Sequence, residues 1–384
     1  MAKAGKIIMK AIKWIVGAVC ALVLLLVAAM CILKIVNHFQ YRITTENGID
    51  EELYVDLNGQ MQFIRIRGED INNPVILYLH GGPGSPDGFV GYVWQKDLIG
   101  GYTIVTWDQR GCGRTYYKNR GTDPQNDTAT FEQAIQDTDA LVDYLSQRFG
   151  REKIILVGHS YGTMVGSKYA LTHPEKLSTY IGVGQVETFE SELYSYEDAL
   201  SKAKAAGDDT TEMMAAIEAF KADPKLETLM KAREYTSMYQ QAPREANEIM
   251  LGVKSSYMGI DDMRWFFLMS DTEKFYSLNK SLLDYTLAVD VRDFGTSYEI
   301  PVGFISGGED WTTPVKYTQE YCDTISAPKK EFVTIAGCGH SPQLDAPDEF
   351  AATLRTMLAG GRGSWFKNTP EPKNQSARGY ICTG

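Results

Sequence analysis

The apolar and polar positions of the chain fall into three successive patterns. From Trp14 to Leu33 the residues pass without a charge, and at about 1.5 Å rise per residue that run is long enough for one membrane-spanning helix. From Glu52 the pattern shortens to strand-sized runs. Leu53–Leu57 and Met61–Ile66 flank Asn58-Gly59, a dipeptide that favours a two-residue hairpin turn. Val75–Leu79, Thr103–Trp107, Ile154–Val157, Thr179–Val183, Pro301–Ser306 and Glu331–Ile335 are further short apolar runs. Helical spacing alternates with them. Ala134, Leu141, Val142 and Leu145 share one face of a helix that runs into Gly150, and another helix is predicted from Thr163 to Leu171. Buried strands alternating with helices predict a mostly parallel sheet with helices on both faces.

The alternation stops between Gln185 and Asp290, where Ala, Lys, Glu and Met dominate and no buried strand stands out. A helical cap inserted into the α/β core is expected there. Met213, Met214, Trp265, Phe266, Phe267 and Met269 could supply it with an apolar face, for helix packing or, as the alternative, for contact with a substrate. The expected plan is an anchor (1–42), a core (43–184 and 291–358), a cap (185–290) and a loosely ordered polar tail (359–384).

Charge refines this plan. The net charge of −11 divides unevenly, because residues 1–42 hold six basic and no acidic side chains and the remainder carries −17. So acidic a body repels phosphates, which argues against a nucleic-acid partner. Four lysines precede the apolar run, whereas Lys34 and Arg42 follow it. The positive-inside rule then puts the N-terminus in the cytoplasm and the bulk of the chain outside, as a single-pass membrane protein. The run exceeds a signal-peptide core, and Met30-Cys31-Ile32-Leu33 is a poor cleavage site. The six cysteines follow no disulfide or zinc spacing.

Gly158-His159-Ser160-Tyr161-Gly162 joins a predicted strand to a predicted helix with the spacing G-x-S-x-G. At such a corner the serine oxygen is pushed out of the sheet above a helix N-terminus. A serine hydroxyl needs a base, and the base needs an orienting acid. Among five histidines, His340 lies in a small-residue loop after the last predicted strand. Asp310 follows the strand Pro301–Ser306, with Glu309 as its rival. Ser160, Asp310 and His340 thus fall at carboxyl ends of predicted strands, where open α/β sheets carry their sites. The amide of Tyr161 and one from His80-Gly81-Gly82-Pro83-Gly84 are candidate oxyanion donors; Gly82 is favoured, with Gly81 as the alternative. His80 is expected to be structural, and Asp108 and Arg110 to form a buried pair.

With HGGPG at 80–84, DQRGCGR at 108–114, GHSYG at 158–162, Gly308-Glu309-Asp310 and Gly339-His340, residues 50–358 resemble an α/β-hydrolase of the proline iminopeptidase type. The resemblance implies removal of N-terminal residues from short peptides through an acyl-enzyme, with no metal or cofactor. It also implies that acidic residues of the cap bind the substrate's free amine, for which Glu187, Glu190 and Glu192 are candidates. Tyr161 stands where these peptidases usually carry tryptophan, and His159 replaces a common glycine. Two other functions use the same residues differently: an esterase or lactonase with the same triad, or a binding protein on a hydrolase scaffold. Epoxide and haloalkane hydrolysis are disfavoured, since those relatives use a carboxylate where Ser160 stands.

Overall fold

In the computed structural model, which describes residues 2–360 and 379–380, the strand-forming runs join into one sheet. In chain order, α1 (Ala2–Tyr41) is followed by β1 (Ile49–Leu57), β2 (Gln60–Gly68), β3 (Val75–Leu79), α2 (Tyr92–Gln95), β4 (Thr103–Trp107), α3 (Gly113–Asn119), α4 (Phe131–Phe149), β5 (Ile154–His159), α5 (Tyr161–Thr172) and β6 (Leu177–Val183). Six helices intervene before the next strand: α6 (Glu192–Ala206), α7 (Thr211–Ala222), α8 (Leu226–Thr236), α9 (Glu248–Lys254), α10 (Ile260–Ser270) and α11 (Thr272–Ala288). Then come β7 (Val302–Gly307), α12 (Val315–Thr324), β8 (Lys330–Ile335), α13 (Pro342–Asp345), α14 (Pro347–Gly360) and β9 (Gly379–Tyr380).

The strand order is β1-β2-β4-β3-β5-β6-β7-β8-β9. From β4 through β8 every pairing is parallel, and antiparallel pairs close both ends. The first hairpin turns at Asn58 and Gly59, both at positive φ, as a type I′ turn requires. Successive residues of a strand face opposite layers. Leu77, Val105 and Leu156 accordingly pack with Leu141, Leu145 and Val165 of α4 and α5. Ile76, Ile104 and Val157 pack on the other face with Phe350 and Leu354 of α14. Helix α4 starts where the Thr130 side chain accepts from the Gln133 amide, and it stops at Gly150 in the left-handed conformation.

Because β3 lies between β4 and β5, the chain runs to one side of β3 and then crosses to the other. This reversal opens a crevice at the carboxyl ends of β3 and β5, the usual place for a ligand in an open α/β sheet.

Three expectations need correction. Arg110 does not pair with Asp108: its guanidinium meets Asp137 of α4 at 2.6 Å, and Asp108 accepts from the Arg114 amide at 2.8 Å. The six apolar residues named between 213 and 269 do not form one face, because they lie on α7 and α10, which have different neighbours. Met213 packs with Tyr196, Ile217 and Phe220, whereas Trp265 packs with Cys112, Tyr116 and Leu278. The expected loose tail lies largely outside the described residues, but 359–360 still belong to α14 and 379–380 pair with β8.

Helix α1 continues past its apolar run and docks its last turns on the body. Lys34 Nζ donates to the Met258 carbonyl at 2.6 Å, and Asn37 Oδ1 accepts from the Ser256 amide and hydroxyl, both at 3.0 Å. The Tyr41 ring lies 4.8 Å from that of Tyr92.

Candidate active site

Ser160 links β5 to α5 with φ 51° and ψ −124°, a strained conformation for a residue with a side chain. Backbone crowding dictates the glycines on either side. A Cβ at Gly158 would lie 2.4 Å from the Gly162 carbonyl oxygen, and one at Gly162 would lie 2.3 Å from that of Leu79. The Ser160 amide donates to the Val183 carbonyl at 3.0 Å, tying the turn to β6.

The loops after β7 and β8 supply the other two groups. They touch at Gly307, where a Cβ would sit 1.9 Å from the Gly339 carbonyl oxygen, so the chains approach as closely as glycine allows. His340 Nδ1 lies 2.9 Å from Asp310 Oδ2 and 3.1 Å from Oδ1. A carboxylate only accepts, so Nδ1 carries the proton and Nε2 presents its lone pair. Nε2 is buried and has no hydrogen-bond partner among the described residues. Asp310 is itself fixed by the amides of Thr312 and Thr313, at 2.9 and 2.8 Å, and by the Thr313 hydroxyl at 2.7 Å. Burial acts to lower the His340 pKa, but the Asp310 charge and hydrogen bond outweigh it, and the imidazole is raised above its ordinary value. Burial likewise opposes the ionised form of Asp310, yet His340 and the Thr313 donors hold that carboxyl below its usual range. Glu309 makes no such contact; its amide donates to the Cys338 carbonyl.

Ser160 and His340 line one cavity of about 470 Å³ together with Gly81, Gly82 and Tyr161. Tyr161 opens α5, so its amide has no acceptor within the helix. Gly81 packs against the serine: a Cβ there would meet the Ser160 Cβ at 2.8 Å. His80 is a turn-holding residue. Its Nδ1 donates to the Gly81 carbonyl at 2.8 Å, its Nε2 accepts from the Gln109 amide at 3.3 Å, and burial lowers its pKa to about 4. The His159 ring lies 5.1 Å from that of His340, with Nε2 2.9 Å from the His340 carbonyl. Burial and the His340 charge lower its pKa to about 3, so it is a neutral donor.

The acidic lining differs from expectation. Glu187 is buried outside this cavity, its carbonyl accepting from the Val291 amide where the chain re-enters the core. Burial pushes its carboxyl well above the usual range. Glu190 is exposed and also outside. The positive φ at Gly184 turns the chain away from the sheet rim just before these residues. Glu192 does line the cavity, but it is bound to Arg233 and Tyr196.

Two other carboxyls face the cavity. Asp87 accepts from the Tyr78 hydroxyl at 2.8 Å, and Glu248 comes from α9. Burial, joined by the charge of Glu248, pushes Asp87 up to about 7, although the Tyr78 bond opposes this. Burial also raises Glu248. Neither stood out in the sequence: Asp87 lies three residues past HGGPG, and Glu248 lies in a charge-rich helical stretch.

A family model described as "Alpha/beta hydrolase family" matches residues 76–353. Over 316 residues the chain is 27% identical to a probable aminopeptidase, YbaC, of Bacillus subtilis, covering 78% of this chain and 93% of that relative. Over 308 residues it is 26% identical to a proline iminopeptidase of Lactobacillus helveticus, covering 78% and 95%. Among solved structures, a proline iminopeptidase-related protein of Thermus thermophilus superposes with a TM-score of 0.57 at 20% identity, over 81% of this chain and 98% of that one.

Proposed function

Given that the chain belongs to the alpha/beta hydrolase family and is proline iminopeptidase-like, we propose that it is a membrane-anchored serine aminopeptidase acting on short peptides. The observation that carries this is the contact of His340 with Asp310 at 2.9 Å, which leaves an unprotonated Nε2 in the cavity that Ser160 lines. Ser160 Oγ attacks the scissile carbonyl carbon while His340 Nε2 takes its proton. The amides of Tyr161 and of Gly82, or Gly81, hold the oxyanion, each donor contributing about 3 kcal/mol to the barrier reduction. His340 then passes its proton to the leaving amine, and the C–N bond breaks. A water activated by the same imidazole hydrolyses the acyl-enzyme and regenerates Ser160.

The preference for a free amino terminus rests on Asp87 and Glu248. Both are desolvated carboxyls lining the cavity, and the charge of Glu248 opposes ionisation of Asp87. An ammonium group placed between them would relieve that repulsion. Anchoring rests on α1, whose residues 12–41 are long and apolar enough to cross a bilayer and whose last turns are hydrogen-bonded to the body. With the N-terminus cytoplasmic, the catalytic body is extracytoplasmic.

Ser160→Ala is expected to lower turnover of alanine and proline arylamides by roughly 10⁶-fold while leaving the fold intact. Turnover at the wild-type rate would overturn the mechanism. A thousandfold preference for short acyl esters over arylamides would replace the peptidase with an esterase. No labelling of Ser160 by a fluorophosphonate would favour a binding protein on this scaffold.

A further inference from the structure

Between the cap and the N-terminal helix lies a second cavity of about 390 Å³ with largely apolar walls. Val253, Met258, Met263 and Trp265 line it from the cap side, and Met30 and Lys34 of α1 from the other. Ser85, Asp87, Glu248 and Met269 line both this cavity and the one that holds Ser160, so the two meet beside the loop after β3.

The occupant follows from where this cavity opens. If Trp14–Leu33 crosses the hydrocarbon, Met30 lies within its outer edge and Lys34 at the headgroup level. The mouth beside α1 therefore stands at the membrane interface. The cap helices around it carry large apolar side chains in the open: Ile249 is 63% exposed, Ile260 72% and Phe267 72%. Such a patch beside a membrane span suits contact with lipid. An apolar passage that begins at the bilayer and ends at carboxyls beside a reactive serine fits an amphiphile. We infer that this cavity takes a single extended hydrocarbon chain from a substrate residing in the bilayer and delivers its reacting carbonyl to Ser160. The inference rests on the anchored serine-hydrolase part of the proposal above and replaces its free short peptide with a membrane-resident amphiphile, either an aminoacyl alkylamide or a lipid ester.

The test uses the full chain in nanodiscs and a series of alkyl fluorophosphonates, in which Ser160 Oγ displaces fluoride from phosphorus and the alkyl group stands in for the chain. Inactivation should accelerate with length by up to about fourfold per methylene, the equivalent of about 0.8 kcal/mol. Val253→Trp fills the cavity and should slow the dodecyl reagent at least tenfold while leaving the ethyl reagent within twofold. A length dependence that survives this substitution would arise from partition into the bilayer and would overturn the inference.

A measurement on the wild-type chain decides the matter if Val253→Trp does not fold. A dodecyl reagent with a terminal diazirine, once attached to Ser160, should crosslink on illumination to residues 248–269 or to α1. Crosslinks confined to α8 and α11 overturn the inference. Lack of any Ser160 adduct with the ethyl reagent is a separate result, which removes the serine-hydrolase mechanism and the inference with it. Palmitoyl phosphatidylcholine and alanine dodecylamide present similar chains on different reacting groups. Faster turnover of either by the wild type than by Val253→Trp supports the inference and tells a lipid ester from an aminoacyl amide; no difference in either arm overturns it.

Discussion

Ser160 carries its side chain on a left-handed backbone at φ 51°, a conformation that costs on the order of 1–3 kcal/mol and persists only where the surroundings enforce it. The enforcement is steric, and Gly162→Ala tests it. The added methyl would start 2.3 Å from the Leu79 carbonyl oxygen, so urea denaturation should show a loss on the order of 3 kcal/mol together with most of the turnover. The raised imidazole makes a prediction about pH. In the proposed mechanism His340 acts as a base only when neutral, so kcat/KM should fall as the pH drops through an imidazole pKa raised above its ordinary value. Asp310→Asn removes the charge that raises it and leaves the burial that lowers it. The acid limb should then move to lower pH, with kcat down roughly 10⁴-fold. In the proposed reading Asp87 titrates in the same functional sense, but on binding: below about 7 it is neutral and attracts no ammonium. KM for aminoacyl arylamides should therefore climb as the pH falls through about 7, while KM for uncharged esters stays flat.

Among the elements, strands were more legible than loop contacts. Val75–Leu79 and Thr103–Trp107 coincide with their predicted limits because these strands are buried on both faces and every residue in them is apolar or threonine, tyrosine or tryptophan. Helix limits shifted by a residue or two, as at α5, which begins directly after Ser160 and not at Thr163. Caps and strained turns set such limits more than apolar periodicity does. The partner of Arg110 was not legible at all. Asp108 is nearer in sequence, but packing of α4 brings in Asp137, which also accepts from Asn58 and Gln62. Arg110→Met leaves that fully buried carboxylate without its cation. It is expected to cost about 3–5 kcal/mol in chemical denaturation at neutral pH, whereas a matching change at the exposed Lys280–Asp284 pair should cost under about 1 kcal/mol.

At the scale of the whole molecule, the N-terminal helix is both a candidate membrane span and a packed element. Removal of residues 1–42 should release the protein from membranes in a flotation assay. It should also lower the melting temperature by a few degrees, because Ser256, Arg67 and Tyr92 lose Asn37 and Tyr41 as partners. The sequence by itself determined the alternating α/β core and the strained corner at Ser160, since each is written in local spacing and in residue types that few other conformations accommodate. Tertiary structure alone decided which carboxyls face the cavity that Ser160 lines: Glu187 turned into the core and Glu190 into solvent, Glu192 reached the cavity tied to Arg233, and Asp87 and Glu248 line it from the loop after β3 and from α9. Local spacing fixes where a backbone bends. The direction of a side chain beyond the bend depends on how cap, sheet and N-terminal helix pack together, and that information is spread over the entire chain.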